Sequence, residues 1–326
     1  MQGKEASEQE TKAKFNVGID VSKCWLDVHV LPTNERLRAA NDRTGIRQLK
    51  RWLSPHAIAL VAIEATGKWH RLVHRSLIAS AIPVAIVDPF RVRMFAKAQG
   101  ILAKTDQLDA RMLALFATVM NPATRNPAPQ TIAELAELVV ARASAVDAQT
   151  ALKNQLSAAE CKFLKQQFAR RIETTGKDIA ALDREILKRI KADDCLARRY
   201  AVLTSIPSFG FVVAATLITC LAEIGSTTAK QIAMLAGLAP IADQSGERDG
   251  IRVIWGGRPA VRRMLYLAAL SAIRFNADIK TFYRRLVGSG KPRKVALIAA
   301  ARKLVVLANT LVGQDRHWSP CSPNHA

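Results

Sequence analysis

The spacing of apolar residues changes period several times along the chain, and each change predicts an element. Phe15–Ile19 is a short β-rich run ending at Asp20, and Trp25–Leu31 (WLDVHVL) alternates apolar and polar residues as a half-buried strand does. A Pro-Thr-Asn turn follows, and Arg36–Ala40 completes a three-stranded meander. Ile46–Leu53 has helical spacing. Ala59–Ile63 is a continuous apolar run, as in a strand buried on both faces, and it ends at Glu64. Gly67 releases the chain into a helix around Trp69–Ser80. Val84–Val87 is a second buried strand, closed by Asp88-Pro89, and Phe90–Gln99 and Asp106–Phe116 return to helical spacing. The order β-β-β-α-β-α-β-α-α demands a meander followed by crossovers that add parallel strands.

The pattern then turns helical. Asn121–Pro129, with three prolines, reads as a linker, and residues 131–200 are proline-free and rich in Ala, Leu, Glu, Lys and Gln. Long helices with an interruption or turn at Thr174-Thr175-Gly176 are expected, forming an antiparallel arm or dimerising coiled coil. Leu203–Gly210 (LTSIPSFG) leads into an apolar helix as a helix-hairpin-helix turn does, a geometry that offers backbone N–H groups to phosphate. The domains expected are therefore a disordered N-terminus (1–13), an α/β domain (14–122), a helical arm (123–200), a mainly helical C-terminal domain (201–313) and a disordered tail (314–326).

Charge narrows the function. The 326 residues hold 48 Lys and Arg against 27 Asp and Glu, a net +21. The excess peaks between Gln244 and Lys303, where 14 basic residues face only Glu247, Asp249 and Asp278. A solvated helix face interleaves both signs, so this imbalance points to a polyanion such as nucleic acid and away from a small neutral metabolite as sole ligand. The charged N-terminus lacks the apolar run of a signal peptide, and Phe211–Ala222, read as the longest nearly uncharged apolar stretch, is too short to span a bilayer. Five scattered cysteines, never paired as CxxC, suggest neither a disulfide framework nor a structural zinc site. A soluble cytoplasmic protein with no membrane partner is expected.

Four carboxylates stand out on this order. Asp20 ends the first strand, Glu64 ends the first crossover strand, and Asp106 and Asp109 lie three apart on a helix, on one face. Strand ends are where an open α/β sheet presents its site. Singly, an Asp or Glu there is ordinarily a turn former or helix cap; four together in a chain of this charge point to a metal site. Oxygen-only ligands favour Mg²⁺, with Mn²⁺ possible, and two such ions about 3.5–4 Å apart would bind the attacking and leaving oxygens of a phosphodiester. Lys23, three residues after Asp20, and Lys104, two before Asp106, are candidates for phosphate contact.

Gly18-Ile19-Asp20-Val21-Ser22-Lys23, Ile63-Glu64-Ala65-Thr66-Gly67 and Lys104-Thr105-Asp106-Gln107-Leu108-Asp109-Ala110, in this order and with these gaps, resemble the DEDD transposases of the insertion-sequence "one-ten" family. That family includes pilin-gene DNA invertases, and its N-terminal domain is similar to the RuvC Holliday-junction resolvase, of ribonuclease-H-like fold. The resemblance implies α/β plus all-α architecture, with Asp20, Glu64, Asp106 and Asp109 as the metal-binding catalytic tetrad. It also singles out Ser245, in Asp243-Gln244-Ser245-Gly246, as the nucleophile that becomes covalently joined to DNA. Arg248, Arg252, Arg258, Arg262 and Arg263 follow it and are suited to bidentate phosphate contact. The family usually carries Gly where this chain has Ser208.

The function implied is a transposase, or site-specific recombinase, of an insertion sequence. It would cut and rejoin DNA at element ends and target through a Ser245–phosphate linkage. A non-coding bridge RNA as guide, a homo-oligomer between dimer and tetramer, and a prokaryotic, nucleoid-associated location are implied by the resemblance alone. A DNA invertase of the same family and a RuvC-like endonuclease using water are the alternatives. A sugar-kinase or actin-like ATPase, suggested by GIDVSK, lacks the Gly-rich adenosine loop. His70 and His74, four apart and flanked by Arg, are read as surface or nucleic-acid contacts. His317, Cys321 and His325 form a weak zinc pattern. Trp52, Trp69, Tyr200, Tyr266 and Tyr283 are read as packing residues, with Trp255, inside the arginine cluster, a base-stacking exception.

Overall fold

The computed structural model describes residues 14–65, 67–101, 106–241, 244–245, 248–249 and 252–320, the side chains of 106–108, 244–245 and 248–249 excepted. The chain falls into two compact units that meet at Ala128/Pro129.

The first unit is a five-stranded sheet of β1 (Phe15–Val21), β2 (Trp25–Leu31), β3 (Arg36–Ala40), β4 (Ile58–Glu64) and β5 (Val84–Val87), in the order β3-β2-β1-β4-β5. The meander is antiparallel and the crossover strands are parallel, as the element order requires. Val17, Ile19, Val21, Val61 and Ile63 face one side, where α1 (Arg43–Leu53) and α2 (His70–Ile78) supply Leu49, Leu53, Val73 and Leu77. On the other side Leu60, Ala62 and Ala85 pack with Val92 of α3 (Pro89–Ala98) and Leu113 and Phe116 of α4 (Asp106–Met120). The helix starts are written locally. Asp42 caps α1 by accepting from the N–H groups of Thr44 and Gly45, and Asp88 caps α3 through Phe90 and Arg91, with Pro89 in the first turn. This is a mixed α/β arrangement, the class expected of a ribonuclease-H-like sheet.

β1 extends one residue beyond Asp20, to Val21, so Asp20 lies at the C-terminal end of the strand as expected. One local reading changes. His74 is buried, with its Nε2 2.7 Å from the Arg125 carbonyl, while the Arg125 N–H donates to the Val84 carbonyl. It therefore ties the Pro-rich segment to α2 and is not a surface contact. Burial holds its pKa below the ordinary value, outweighing that hydrogen bond.

In the second unit α5 (Gln130–Ala158) and α6 (Lys162–Lys191) pair as an antiparallel arm. The turn is at Ala159–Cys161, and α6 runs unbroken through Thr174-Thr175-Gly176. The Thr174 and Thr175 hydroxyls donate to carbonyls four residues back, and Gln149 of α5 reaches the Ile172 carbonyl at 3.2 Å. Packing along the arm thus outweighs the roughly 1 kcal/mol propensity cost of a mid-helix glycine. Leu135, Val139, Ile186 and Ile190 at the arm's base share one core with α7 (Asp194–Ser205), α8 (Phe211–Cys220), α9 (Ala229–Leu235), α10 (Pro259–Phe275), α11 (Ala277–Gly288) and α12 (Arg293–Gly313). Residues 123–200 and 201–313 accordingly do not form separate bodies. Four two-residue strands, β6 (Pro240–Ile241), β7 (Gln244–Ser245), β8 (Arg248–Asp249) and β9 (Val253–Ile254), precede α10.

α12 is long and apolar enough to cross a membrane by length and composition, which the sequence reading overlooked. Its buried residues, among them Leu304, Val305 and Ala308, lie in the core, packed against α7, α9, α10 and α11. That is the environment of a core helix. The expected disordered tail is ordered through Pro320: Trp318 packs on the core and its N–H donates to Ser205 Oγ at 2.8 Å, and Arg198 pairs with Asp315. The apolar indole supplies the burial that the flanking polar residues lack. Residues 1–13 lie outside the described residues, as do Cys321 and His325 of the zinc pattern.

Candidate nucleic-acid and catalytic site

Strand register brings the carboxylates together. Ile19 of β1 pairs with Ile63 of β4, so one step on, Asp20 and Glu64 are neighbours on the sheet face that carries α4. On its other side Asp20 pairs directly with Asp27 of β2, whose carboxylate lies 3.5 Å from Arg38 Nε. Three carboxylates thus stand abreast on adjacent strands, an arrangement that like charges disfavour. Above them, Glu64 and Asp109 line one cleft of about 230 Å³ with Arg93 and Lys97 of α3.

α4 can carry Asp109 this close because β1 has no side chain beneath it. A Cβ on Gly18 would lie 2.0 Å from the Ala110 carbonyl oxygen and 2.3 Å from the Ala114 nitrogen. The helix backbone rests on the strand at the residue before Ile19-Asp20, through Ala110, which follows Asp109 directly, and Ala114.

Asp106 is the first residue of α4, but its side chain lies outside the description, as does Lys104 altogether. Among the described residues no three His, Cys, Asp or Glu side chains make a ready-formed metal site. The donor chemistry nevertheless fits a hard divalent cation: the donors are carboxylate oxygens, crowded on neighbouring strands, with an open cleft beside them.

Lys23 is exposed in the β1–β2 turn, its Nζ 6.0 Å from the centroid of the Trp69 ring, which Lys68 also approaches at 5.0 Å. Arg93 and Lys97 were missed. Their i, i+4 spacing on a short helix is common on any solvated face, and only the cleft gives it meaning. Asp27 was missed too, although the alternation in WLDVHVL places it on one face with Trp25 and His29.

In the second unit Ser245 pairs with Arg248 across the β7–β8 ladder; both side chains lie outside the described residues. The arginines expected to meet phosphate divide. Arg252 is exposed, and Arg262 donates to the Gly256 carbonyl at 2.6 Å. Arg258 is committed to the fold: its fork meets both oxygens of Glu223 at 2.6 Å and donates to the Cys220 carbonyl at 2.9 Å, closing the end of α8. Arg263 makes a two-pronged bond to Asp147 of α5, which lowers the Asp147 pKa, and this pair fastens α10 to the arm. These two carry matched charges rather than a free excess. Trp255 is 61% exposed, while Trp52, Trp69, Tyr200, Tyr266 and Tyr283 pack against cores.

The helix-hairpin-helix-like turn holds one strained residue. The Phe209 N–H donates to the Ile206 carbonyl at 2.9 Å, with Pro207 and Ser208 between them and Ser208 at φ +82°. That is a type II turn, whose third position favours glycine.

Two family models and several known proteins match the chain. Residues 17–168 match the DEDD transposase model of the IS110 type, and residues 200–284 match the transposase IS116/IS110/IS902 family. A pilin gene-inverting protein of Moraxella bovis is 28% identical over 316 residues, 93% of this chain and 97% of the relative, and one from Moraxella lacunata matches to the same extent. An uncharacterised insertion element IS116 protein of Streptomyces clavuligerus is 28% identical over 147 residues, 43% of this chain and 35% of its own length. Both segments of IS110-type transposases are therefore present in order, the first covering the carboxylate-bearing sheet and running into the arm, the second on the helical unit: the chain carries the domains of an IS110 family transposase.

Proposed function

We propose that this protein is a DNA recombinase that breaks and rejoins strands at the ends and target of an insertion element, with Ser245 as nucleophile. The observation that carries the reading is that Asp20 and Glu64 are neighbours on the sheet face that carries α4, while Glu64 and Asp109 line one cleft with Arg93 and Lys97. Asp20, Glu64, Asp106 and Asp109 would hold Mg²⁺, which when bound supplies Lewis-acid polarisation of the scissile phosphate. Arg93 and Lys97 hold the phosphate oxygens at the cleft, and Lys23 contacts the backbone at the sheet's end. The Ser245 Oγ attacks phosphorus and its proton passes to a carboxylate. The displaced deoxyribose oxygen leaves as a hydroxyl, and the strand remains joined to Ser245 as a phosphodiester. Attack by another strand's hydroxyl on that diester returns the serine. A bridge RNA, and assembly into a dimer or tetramer in which one subunit's tetrad meets another's Ser245, complete the proposal.

The test is trapping of the covalent adduct. Wild-type protein, Mg²⁺, RNA co-purified from the native locus and labelled element-junction DNA should give a denaturation-resistant protein–DNA product. Ser245→Ala, Asp20→Ala and Glu64→Ala should abolish it. Cleavage that survives Ser245→Ala without an adduct would replace this mechanism with hydrolysis by water. A second reading, inversion of a DNA segment between inverted sites, is favoured by near full-length similarity to the pilin gene-inverting proteins. The arrangement of recombining sites around the gene distinguishes the two.

A further inference from the structure

A cleft of about 550 Å³ lies in the second unit between α11, α12 and the segment after α12, far along the sequence from Ser245. That volume is within the roughly 300–1,000 Å³ of small-ligand sites. Its walls combine three kinds of group. Arg285, Lys303 and Arg316 are cationic and form no ion pair with a carboxylate among the described residues, whereas Asp278 is the single acid on the rim. Phe282 lies between two of the cations, with Lys303 Nζ 4.7 Å and Arg285 Cζ 5.6 Å from its centroid. Trp318, Ile279 and Leu311 supply an apolar wall.

The third kind is a buried donor. Asn276 is only 2% exposed, and its Oδ1 accepts from the Ile279 N–H to cap α11, which fixes the orientation of the amide. Asn276 is one of the residues lining the cleft, and its Nδ2 is buried and has no hydrogen-bond partner among the described residues. A buried amide donor left unpaired costs about 1–3 kcal/mol, so the position favours a ligand that brings an acceptor. Three cations call for an anion, and the aromatic and aliphatic wall is more than an inorganic anion needs.

We propose that this cleft binds a phosphorylated nucleoside, its phosphate met by Arg285, Lys303 and Arg316, an acceptor atom by the Asn276 amide, and its base by the wall that ends in Trp318. The same chemistry is presented by a free mononucleotide and by the 5′-phosphorylated end of a strand.

The test uses the full chain, with isothermal titration of dAMP, deoxyadenosine, inorganic phosphate and a 5′-phosphorylated trinucleotide. Asn276→Asp keeps the capping oxygen, removes the donor and adds negative charge; Lys303→Gln changes an exposed side chain and leaves the core alone. Wild type should bind dAMP at least about tenfold more tightly than deoxyadenosine or phosphate, and each variant should weaken dAMP by about tenfold or more. Quenching of fluorescence by dAMP should disappear in Trp318→Phe. Tighter binding of the trinucleotide than of dAMP identifies a strand end, and the reverse a free nucleotide. Equal binding by wild type and Lys303→Gln, no binding of either phosphorylated ligand, or phosphate binding as tight as dAMP would overturn the proposal.

Discussion

Gly18→Ala is the substitution that most directly tests how the carboxylates are positioned. The added Cβ would sit 2.0 Å from the Ala110 oxygen, 2.3 Å from the Ala114 nitrogen and 2.8 Å from Leu113 Cβ. The first two are backbone atoms of α4, so no rotamer change relieves them. Reaching even a tight contact of about 3 Å requires the helix to retreat by about 1 Å from β1, as happens when packed surfaces are overfilled. α4 begins at Asp106 and carries Asp109 into the cleft with Glu64. Productive constellations tolerate only about 0.5 Å, and a 1 Å misplacement costs about 100-fold in rate. Overpacking of this kind costs about 1–3 kcal/mol, which for a unit of this size lowers Tm by roughly 4–12 °C. The assay pairs calorimetry with yield of the covalent adduct. Gly288→Ala is the control, because a Cβ there meets nothing within 4 Å. Wild-type melting and adduct yield in Gly18→Ala would refute the claim that α4 rests on bare strand backbone.

Three further outcomes follow from the same geometry. Ser208→Gly, at φ +82° in the type II turn, should stabilise the second unit by about 0.5–1 kcal/mol, since relief of left-handed strain exceeds the entropy glycine loses on folding; chemical denaturation that shows destabilisation would reject the turn assignment. Arg258→Ala leaves Glu223 and the Cys220 carbonyl without their partner and should cost about 1–3 kcal/mol by the same assay, with Arg258→Lys restoring only part because it cannot reproduce the fork. For His74, burial lowers the folded-state pKa below the unfolded value of about 6.5. The unfolded chain then binds the proton more readily, so its contribution is fully present above that value and is lost as pH falls through it. Melting of the first unit should weaken on acidification below about pH 6.5, and His74→Gln should flatten that slope; an unchanged slope would assign it to other groups.

Local chemistry was legible wherever the code is local. The alternation in WLDVHVL, the apolar run ending at Glu64, the Asp88-Pro89 stop and the long proline-free helices each depend on neighbours within a turn or strand. They gave the element order, which demanded a meander followed by crossovers that add parallel strands. Asp20, Glu64 and Asp109 could be placed at one edge for the same reason. Ser245 could be singled out only by family resemblance, since a serine before glycine is an ordinary loop residue.

Other features needed contacts between residues far apart in the chain. Arg258 and Arg263 look like phosphate ligands in sequence, and only the positions of Glu223 and Asp147 show their charge to be matched within the fold. Arg93, Lys97 and Asp27 carry no distinguishing pattern until register and a cleft set them beside the carboxylates. Gly176 resembles a turn signal, yet pairing along the whole arm outweighs one residue's propensity. Tail residues through Pro320 look polar and free, yet one indole docks them onto the core. The sequence by itself determined the elements of the first unit and set Asp20 and Glu64 at strand ends, because strand and helix periods are short-range properties. The tertiary structure alone decided which charges are spent inside the fold and which line a cleft, because ion pairing and burial are set by residues tens of positions apart.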